Sequence, residues 1–165
     1  MFVRPAEPAD EKLLWAMLYE ASYARDQGMD SPDQLRDVPG LGHYVEGWGA
    51  AGDLGVVGGL DGASLGAAWL RLFSADDPAF GYVDADTPEL AIGVAPESRG
   101  TGLGTALMTA LIDAARKDYD AVCLSVRQDN PALRLYQRLG FVAVDGSDKV
   151  NLAGTTSITM ILRFR

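Results

Sequence analysis

Residues 89–111 limit the folds available to this chain more than any other stretch. Apolar and small side chains alternate from Leu90 to Val94, which is typical of a β-strand, and Pro96 ends the strand because proline has no amide hydrogen. From Leu103 onward, apolar residues recur at three- and four-residue spacing, which predicts a helix with one apolar face. The sequence therefore predicts a strand, a turn and a helix in direct succession.

The turn between this strand and helix is rich in glycine. It consists of Arg99, Gly100, Thr101, Gly102, Leu103 and Gly104. The glycines relax the backbone, so the first amides of the helix can point toward one position. Unpaired amides, the positive end of the helix dipole and the guanidinium of Arg99 all stabilise an anion. The turn therefore predicts a phosphate-binding loop, and a surface turn without a ligand is the alternative.

The spacing of the glycines favours one kind of phosphate ligand. A nucleotide triphosphatase loop needs a lysine that is absent here, and a dinucleotide fingerprint needs Gly or Ala where Thr105 stands. The run Arg-x-x-Gly-x-Gly, formed by Arg99, Gly102 and Gly104 after a strand ending Val-Ala-Pro, resembles motif A of the GNAT N-acetyltransferase superfamily. In that superfamily the loop amides hold the pyrophosphate of coenzyme A.

A second motif follows about 30 residues later. It reads Asn-x-x-x-x-x-Tyr-x-x-x-Gly-Phe and consists of Asn130, Tyr136, Gly140 and Phe141. A glycine motif alone would be weak, whereas two motifs in the expected order are strong. The resemblance extends over the whole chain in element order, but its specific residues lie between Glu89 and Phe141.

The resemblance assigns acetyl-CoA as cosubstrate and identifies the residues that bind it. We expect the main chain of the strand to pair with the pantetheine arm, because a mid-strand glycine often marks a close backbone approach. Asn130 adds a polar contact, although a role as a helix cap alone would explain it. The expected cofactor-binding residues are Ile92, Gly93, Val94, Arg99, Gly100, Thr101, Gly102, Leu103, Gly104, Thr105 and Asn130.

Two residues are candidates for proton transfer. A free amine of the lysine type has a pKa near ~10.4, so a proton must leave before or during attack on a thioester. By resemblance Glu89, at the start of the strand, is the base; a solvated strand end after Thr87 and Pro88 is the alternative. By resemblance Tyr136 protonates the departing thiolate, whereas its position on an apolar helix face would also suit a core residue.

Other polar residues are assigned structural roles. Cys123 lies among apolar strand residues, so we expect burial to raise its pKa and disfavour it as a nucleophile. Direct transfer in a ternary complex is therefore favoured, with the carbonyl polarised by a strand amide near Val94. The lone histidine, His43, has no motif around it and is expected to be structural.

The remaining pattern predicts the elements around this centre. A first strand at Phe2 and Val3 precedes a helix that begins at Asp10, and a second helix holds His43, Tyr44, Val45 and Trp48. Two strands, residues 54–60 and 65–73, form a hairpin through Asp61 and Gly62. Residues 27–40 and 74–88 form loops. Later elements are a strand at 121–126, a helix from Asn130 to Gly140, and antiparallel strands at 141–144 and 157–164.

These elements define the expected fold class. The strand, helix and strand around the phosphate loop require a crossover, so the two strands pair in parallel. We expect one α/β domain over residues 1–165, of the α+β type with a mixed sheet. The resemblance implies the GNAT acyl-CoA N-acyltransferase fold, in which the central strands splay apart around a coenzyme A cleft.

Composition excludes several classes of partner. The net charge of −9 argues against nucleic acid, which requires a basic face. No apolar run is long enough to span a bilayer, and the N-terminus lacks the apolar core of a signal peptide, so a cytoplasmic location and no membrane partner are expected. One cysteine fits a reducing compartment. No metal site is expected, and a homodimer through the final strands is possible.

Two rival functions remain at this stage. The first is a non-catalytic acyl-CoA sensor that keeps the loop without a productive base. The second is a dinucleotide oxidoreductase, in which Asp118 or Asp120 would hold a ribose. The acceptor amine has no motif of its own, so a small molecule or a peptide would both fit. By resemblance its pocket is expected around Tyr19, Tyr23, Trp48, Trp69 and residues 145–156.

Overall fold

The computed structural model describes residues 1–151 and 154–165, and these residues form an eight-stranded sheet. The strand order is β1-β2-β3-β4-β5-β8-β6, and β7 pairs with β8. The strands are β1 Phe2–Pro5, β2 Leu54–Leu60, β3 Ala63–Arg71, β4 Glu89–Val94, β5 Ala121–Arg127, β6 Val142–Ala143, β7 Lys149–Val150 and β8 Thr156–Arg163. The helices are α1 Glu11–Ala21, α2 Leu103–Ala115 and α3 Leu133–Arg138.

The first four strands are antiparallel neighbours. Leu60 pairs with Ala63, so the hairpin between β2 and β3 turns on Asp61 and Gly62 alone. Both turn residues have positive φ, of 51° and 80°, which is the conformation that an Asp-Gly pair favours in a two-residue hairpin. The predicted hairpin is confirmed, although β3 begins two residues earlier than expected.

The centre of the sheet opens between β4 and β5. These strands run in parallel and pair only through Glu89 and Cys123, and the amide of Cys123 donates to the Pro88 carbonyl at 3.0 Å. Beyond that point β5 pairs along its length with β8 on its other side. The mixed sheet with splayed central strands, expected from the resemblance, is therefore confirmed.

Helices cover both faces of the sheet. On one face α2 buries Leu103, Leu107 and Leu111 in a cluster with residues of β3, β5 and β8. On the other face α1 packs so closely against β4 that a Cβ on Gly93 would lie 2.1 Å from the Met17 carbonyl oxygen. The close backbone approach predicted at Gly93 is thus an approach of α1.

Several local predictions need correction. The expected second helix around His43 is only a 3-10 turn, Gly42–Tyr44, followed by further turns. Glycine is costly in a helix interior, and the segment contains several glycines, among them Gly47 and Gly49 at positive φ. The third helix begins at Leu133, because the Asn130 side chain accepts the Ala132 amide at 2.8 Å and forms a turn first.

The described residues were also compared with the requirements for a membrane-spanning helix and for a metal site. No helix within residues 1–151 and 154–165 has the length and apolar character needed to cross a bilayer. Among those same residues, no three His, Cys, Asp or Glu side chains come together as a metal-binding group.

Candidate active site

A cleft of about 280 Å³ lies where β4 and β5 separate. Residues of α1, β4, β5, α3 and β7 line it. Four of the predicted site residues, Glu89, Ile92, Asn130 and Tyr136, contribute to this lining. The structure therefore brings the predicted base, the predicted acid and part of the predicted cofactor strand into one cavity.

The open edge of β4 supplies hydrogen-bonding groups to this cleft. Along a strand, successive backbone amides point to opposite sides. The Ala95 amide donates to the Leu65 carbonyl next to β3, and the Pro88 carbonyl accepts from β5. The alternation therefore directs the amides and carbonyls of Leu90, Ile92 and Val94 toward β5, where β4 has no strand partner beyond Glu89.

Glu89 is buried at the point where the two strands part, and 3% of it is exposed. The Tyr44 hydroxyl donates a hydrogen bond to Oε2, whereas Oε1 is buried without a hydrogen-bond partner among the described residues. Burial raises the pKa of Glu89 to about 7, although the Tyr44 hydrogen bond opposes that increase. Glu89 is therefore not a solvated strand end.

Three residues that the sequence analysis did not connect with Glu89 surround this carboxylate. Tyr44 is buried, and its hydroxyl accepts the Phe80 amide at 3.0 Å while donating to Glu89. Lys149 donates to the Phe80 carbonyl at 2.7 Å and, with Tyr44 and Phe80, lines the cleft. No local pattern linked Tyr44 or Phe80 to Glu89, whereas Lys149 lies in the segment 145–156 that was expected around the acceptor.

Tyr136 is the buried residue of α3 and lines the same cleft. Burial raises the pKa of its hydroxyl, and nearby Tyr23 adds to the effect. The hydroxyl is therefore fully protonated near neutral pH, as a proton donor must be. Its ring also packs at 6.1 Å from the ring of Phe141, so Tyr136 serves the core as well as facing the cleft.

Asn130 holds its position through the turn before α3. Its side-chain oxygen accepts the Ala132 amide, so the side-chain amide nitrogen is the part available to a ligand. The cap and the predicted cofactor contact are thus compatible, because they use different atoms of one side chain.

The glycine-rich loop lies outside this lining, at the other end of β4. Five residue steps of about 3.3 Å separate Glu89 from Val94, which is roughly 17 Å. The first hydrogen bond of α2 joins the Ala106 amide to the Gly102 carbonyl, so the amides of Leu103, Gly104 and Thr105 have no partner within the helix. A ligand that extends along β4 would therefore contact free backbone amides at one end and the Glu89 carboxylate at the other.

The loop leaves room for such a ligand. A Cβ added at Gly100, Gly102 or Gly104 would meet no atom within 4 Å, and the first two have φ of +77° and +89°. The open space and the positive φ suit a close approach of phosphate to the backbone. The Leu103 side chain belongs to the core, and the exposed Arg99 lies with Nη2 3.5 Å from Glu20 Oε1. Thr101 donates its hydroxyl to the Ser98 carbonyl at 2.6 Å.

Cys123 on β5 is fully buried and pairs with Glu89 of β4. Its sulfur lies 3.4 Å from the Gly81 carbonyl oxygen. Burial raises its pKa, and the neighbouring Glu89 carboxylate raises it further. The expected burial of Cys123 and its raised pKa are confirmed. These properties do not support a covalent acyl intermediate on this sulfur.

Only some of the residues expected around the acceptor line the cleft. Three of its aromatic residues belong to the core under α1, where each has a backbone carbonyl partner: Tyr19 with Met29, Trp48 with Glu7 and Trp69 with Tyr44. Tyr23 does line the cleft, as do Lys149, Val150 and Asn151 from the predicted segment 145–156. Leu152 and Ala153 of that segment lie outside the described residues.

His43 lies in a different concavity. Its Nδ1 is 2.9 Å from Asp77 Oδ1, a carboxylate partner that sequence reasoning did not identify. Its ring packs against Tyr44 and Phe73 with centroids about 5 Å apart. It does not line the Glu89 cleft. The proposed structural role for His43 stays a prediction.

Comparison with known protein families identifies the family of this chain. The model of the acetyltransferase (GNAT) family matches residues 15–141, which include both motifs and Glu89. The chain belongs to the GNAT acetyltransferase family.

Curated relatives agree with this assignment. A mycothiol acetyltransferase of Renibacterium salmoninarum is 32% identical over 94% of this chain and 44% of its own length. One from Pseudarthrobacter chlorophenolicus is 31% identical over 87% of this chain and 43% of its own. The chain thus spans less than half the length of these relatives.

Solved structures share the fold. A Salmonella typhimurium protein described as an acetyltransferase and solved with acetyl-CoA has a TM-score of 0.71 at 23% identity, covering 100% of this chain and 94% of that one. The ribosomal-protein-S18-alanine N-acetyltransferase of Escherichia coli has a TM-score of 0.64 at 22% identity, covering 98% and 92%. At such identities the likeness concerns the fold alone.

Proposed function

We propose that this chain is an N-acetyltransferase that moves the acetyl group of acetyl-CoA to a primary amine by direct attack in a ternary complex. The observation that carries the proposal is the position of Glu89, a buried carboxylate with a pKa of about 7, beside the open edge of β4. A general base is most effective when its pKa is close to the working pH. A carboxylate of ordinary pKa would be a much weaker base.

The cofactor-binding residues divide between the two ends of β4. The amides of the Arg99–Thr105 loop would hold the diphosphate, because the glycines leave open space there. The free edge at Ile92 and Val94 would pair with the pantetheine arm as an added strand would, and Asn130 would contribute its amide nitrogen. When bound, acetyl-CoA supplies a thioester carbonyl that the amine can attack.

Glu89 and Tyr136 divide the proton transfers between them. Glu89 accepts the proton of the attacking amine, directly or through water, as the new C–N bond forms. The Val94 amide, which the alternation along β4 directs toward β5, would stabilise the developing negative charge on the carbonyl oxygen. Tyr136 donates its hydroxyl proton to the sulfur as the C–S bond breaks, and burial keeps that proton in place until then.

The acceptor is proposed to be a small amine related to mycothiol. The relatives reported above are named mycothiol acetyltransferases, and most of the cleft lining is uncharged. Among the described residues that line the cleft, Glu89 is the one carboxylate, and Lys149 and Arg127 are cationic. A cleft with this charge is poorly suited to a polycationic acceptor, even though the whole chain carries a net charge of −9.

One pair of measurements tests the function against its rivals. Calorimetry should detect binding of acetyl-CoA and none of NAD, and release of free coenzyme A thiol should then appear with members of an amine panel. Binding without turnover for any amine would favour a non-catalytic sensor. Binding of NAD in place of acetyl-CoA would favour the oxidoreductase. A homodimer remains a prediction for sedimentation analysis.

A further inference from the structure

The hydroxyl of Tyr44 has a fixed direction. Its oxygen accepts a hydrogen bond from the Phe80 amide at 3.0 Å, and a backbone amide can only donate. The hydroxyl proton is therefore directed to its other partner, Oε2 of Glu89. Both side chains are buried, with 6% of Tyr44 and 3% of Glu89 exposed, so water does not compete for this bond.

The second carboxylate oxygen is treated differently. Oε1 has no hydrogen-bond partner of good geometry among the described residues, although the Gly81 backbone amide is close enough to the carboxylate to lower its pKa. A Cβ added to Gly81 would lie 2.8 Å from Oε1. The two oxygens therefore differ: Oε2 already accepts the hydrogen bond from Tyr44, whereas Oε1 can accept a proton. Tyr44 determines which is which.

A short segment after β3 holds this arrangement in place. The Phe80 amide binds Tyr44, while the Phe80 carbonyl accepts Lys149 Nζ at 2.7 Å and the Gly81 carbonyl lies 3.4 Å from the Cys123 sulfur. One peptide segment therefore connects the base to β5 and β7. The surroundings of Glu89 thus depend on three side chains from separate parts of the chain and on the backbone of residues 80 and 81; the side chains are those of Tyr44, Cys123 and Lys149.

We propose that Tyr44 is a positioning residue for the base: it holds Oε2 of Glu89 as a hydrogen-bond acceptor and leaves Oε1 to take the proton of the attacking amine. This inference rests on the proposed function, in which Glu89 is the base. Tyr44 itself does not contact the reacting atoms. Its role is to set the orientation of the carboxylate and its readiness to accept a proton.

The charged and titratable groups around Glu89 define what a titration would report. They are Tyr44 from the 3-10 turn, Cys123 from β5, Lys149 from β7 and Arg71, which lies opposite Glu89 on β3 and is held by Asp53 at 3.1 Å. Of these, Tyr44 donates a hydrogen bond to the carboxylate. Removing that donor should raise the pKa of Glu89, because the charged form loses its partner.

The test compares Tyr44→Phe with a matched control, Tyr19→Phe. Tyr19 is equally buried and also donates its hydroxyl within the core, at 2.7 Å to the Met29 carbonyl, but it does not line the cleft. Carbon-13 NMR of glutamate-labelled protein, with the Glu89 signal assigned through Glu89→Gln, measures its pKa without any substrate. We expect Tyr44→Phe to raise that pKa by about one unit, and Tyr19→Phe to leave it unchanged.

The rate profile provides the second readout. The acid limb of kcat/KM should move to higher pH with the Glu89 pKa, so that Tyr44→Phe loses roughly fivefold at pH 7 and recovers at pH 9. An unchanged Glu89 pKa in folded Tyr44→Phe would overturn the positioning role. A raised pKa with an unmoved rate profile would support the positioning role and instead overturn Glu89 as the base.

A second variant tests the open oxygen without removing the tyrosine. Gly81→Ala would place a methyl group 2.8 Å from Oε1 and 3.0 Å from the Leu124 backbone, so the carboxylate must move. Gly42→Ala is the control, because its Cβ would lie 3.5 Å from the Trp15 ring, an ordinary contact. We expect Gly81→Ala to lower kcat by at least about tenfold, with Gly42→Ala near wild type. Equal rates in both variants would contradict the assignment of Oε1.

Discussion

At the carboxyl end of β4, the residues expected to hold phosphate are consecutive in sequence, from Arg99 to Thr105. At its amino end, Glu89 is enclosed by Tyr44, Phe80 and Lys149, which come from separate segments. The first region is open and depends on backbone conformation, whereas the second is closed and depends on packing. The two regions should therefore be sensitive to different kinds of substitution.

Glu89→Gln should have the largest effect. It keeps the shape of the base and removes its ability to accept a proton, so we expect kcat to fall by about 10² to 10⁴-fold. The affinity for acetyl-CoA should stay unchanged, because the phosphate loop is at the other end of the strand. Steady-state kinetics and calorimetry on the same preparation measure both, with the exposed Glu46→Gln as control. A matching loss of acetyl-CoA affinity would show that the two regions are not separate.

Substitutions at two glycines test the phosphate loop. Gly102→Ala forces a side chain into φ of +89°, at a cost of about 1 to 2 kcal/mol. Gly104 has no positive φ and lies in the first turn of α2, so alanine there should stabilise the helix by up to about 1 kcal/mol. Thermal unfolding should therefore separate the two variants in opposite directions.

The affinity of both variants should nevertheless fall. A methyl group at either position enters space that is empty in the protein and that the diphosphate is proposed to use. We expect acetyl-CoA affinity to drop about tenfold, equivalent to roughly 1.4 kcal/mol, in Gly104→Ala despite its greater stability. Undiminished binding by that variant would place the diphosphate elsewhere.

The buried base should also cost stability at neutral pH. The pKa of Glu89 in the folded protein, about 7, lies above its ordinary value of 4.5. The folded state therefore binds more protons between these values, and its free energy of unfolding decreases as pH rises through that window. Glu89→Gln removes this dependence.

Urea unfolding of both proteins measures the effect. From pH 4 to pH 8, the unfolding free energy of Glu89→Gln should increase relative to that of wild type by on the order of 3 kcal/mol. A difference that does not change with pH would mean that the carboxylate is better solvated than the structure indicates.

Cys123→Ala should have the smallest effect on turnover. The thiol is buried with a raised pKa, so it is a poor nucleophile and we expect kcat within about twofold of wild type. Native protein should likewise resist iodoacetamide until it is unfolded. A burst of coenzyme A release without acceptor, lost in the variant, would instead indicate a covalent intermediate.

The same contrast explains what the sequence could predict. The loop and the Asn130 to Phe141 motif are local patterns, so their residues could be recognised without knowing how the chain packs. The pairing of β4 and β5 followed from the crossover, and the structure confirms it at Glu89 and Cys123. Periodicity and turn chemistry were sufficient for these features.

Predictions that depended on tertiary packing were less successful. Tyr44 contacts a residue 45 positions away, and the sequence placed it in a helix that the glycines prevent. Trp69 was expected in the acceptor pocket, but its side of β3 faces α1, and its indole donates to the Tyr44 carbonyl. Residue type indicated that these aromatic side chains would be buried or line a groove, but it could not indicate which face of the sheet each would occupy.

The decisive experiment on Glu89 as the general base is the pH dependence of kcat/KM, measured for wild type and Glu89→Gln with the same amine. We predict that the ratio of the wild-type rate to the Glu89→Gln rate falls below about pH 7, in line with the Glu89 pKa, because ionisation of the shared amine affects both rates equally. A ratio that does not change with pH would contradict Glu89 as the base.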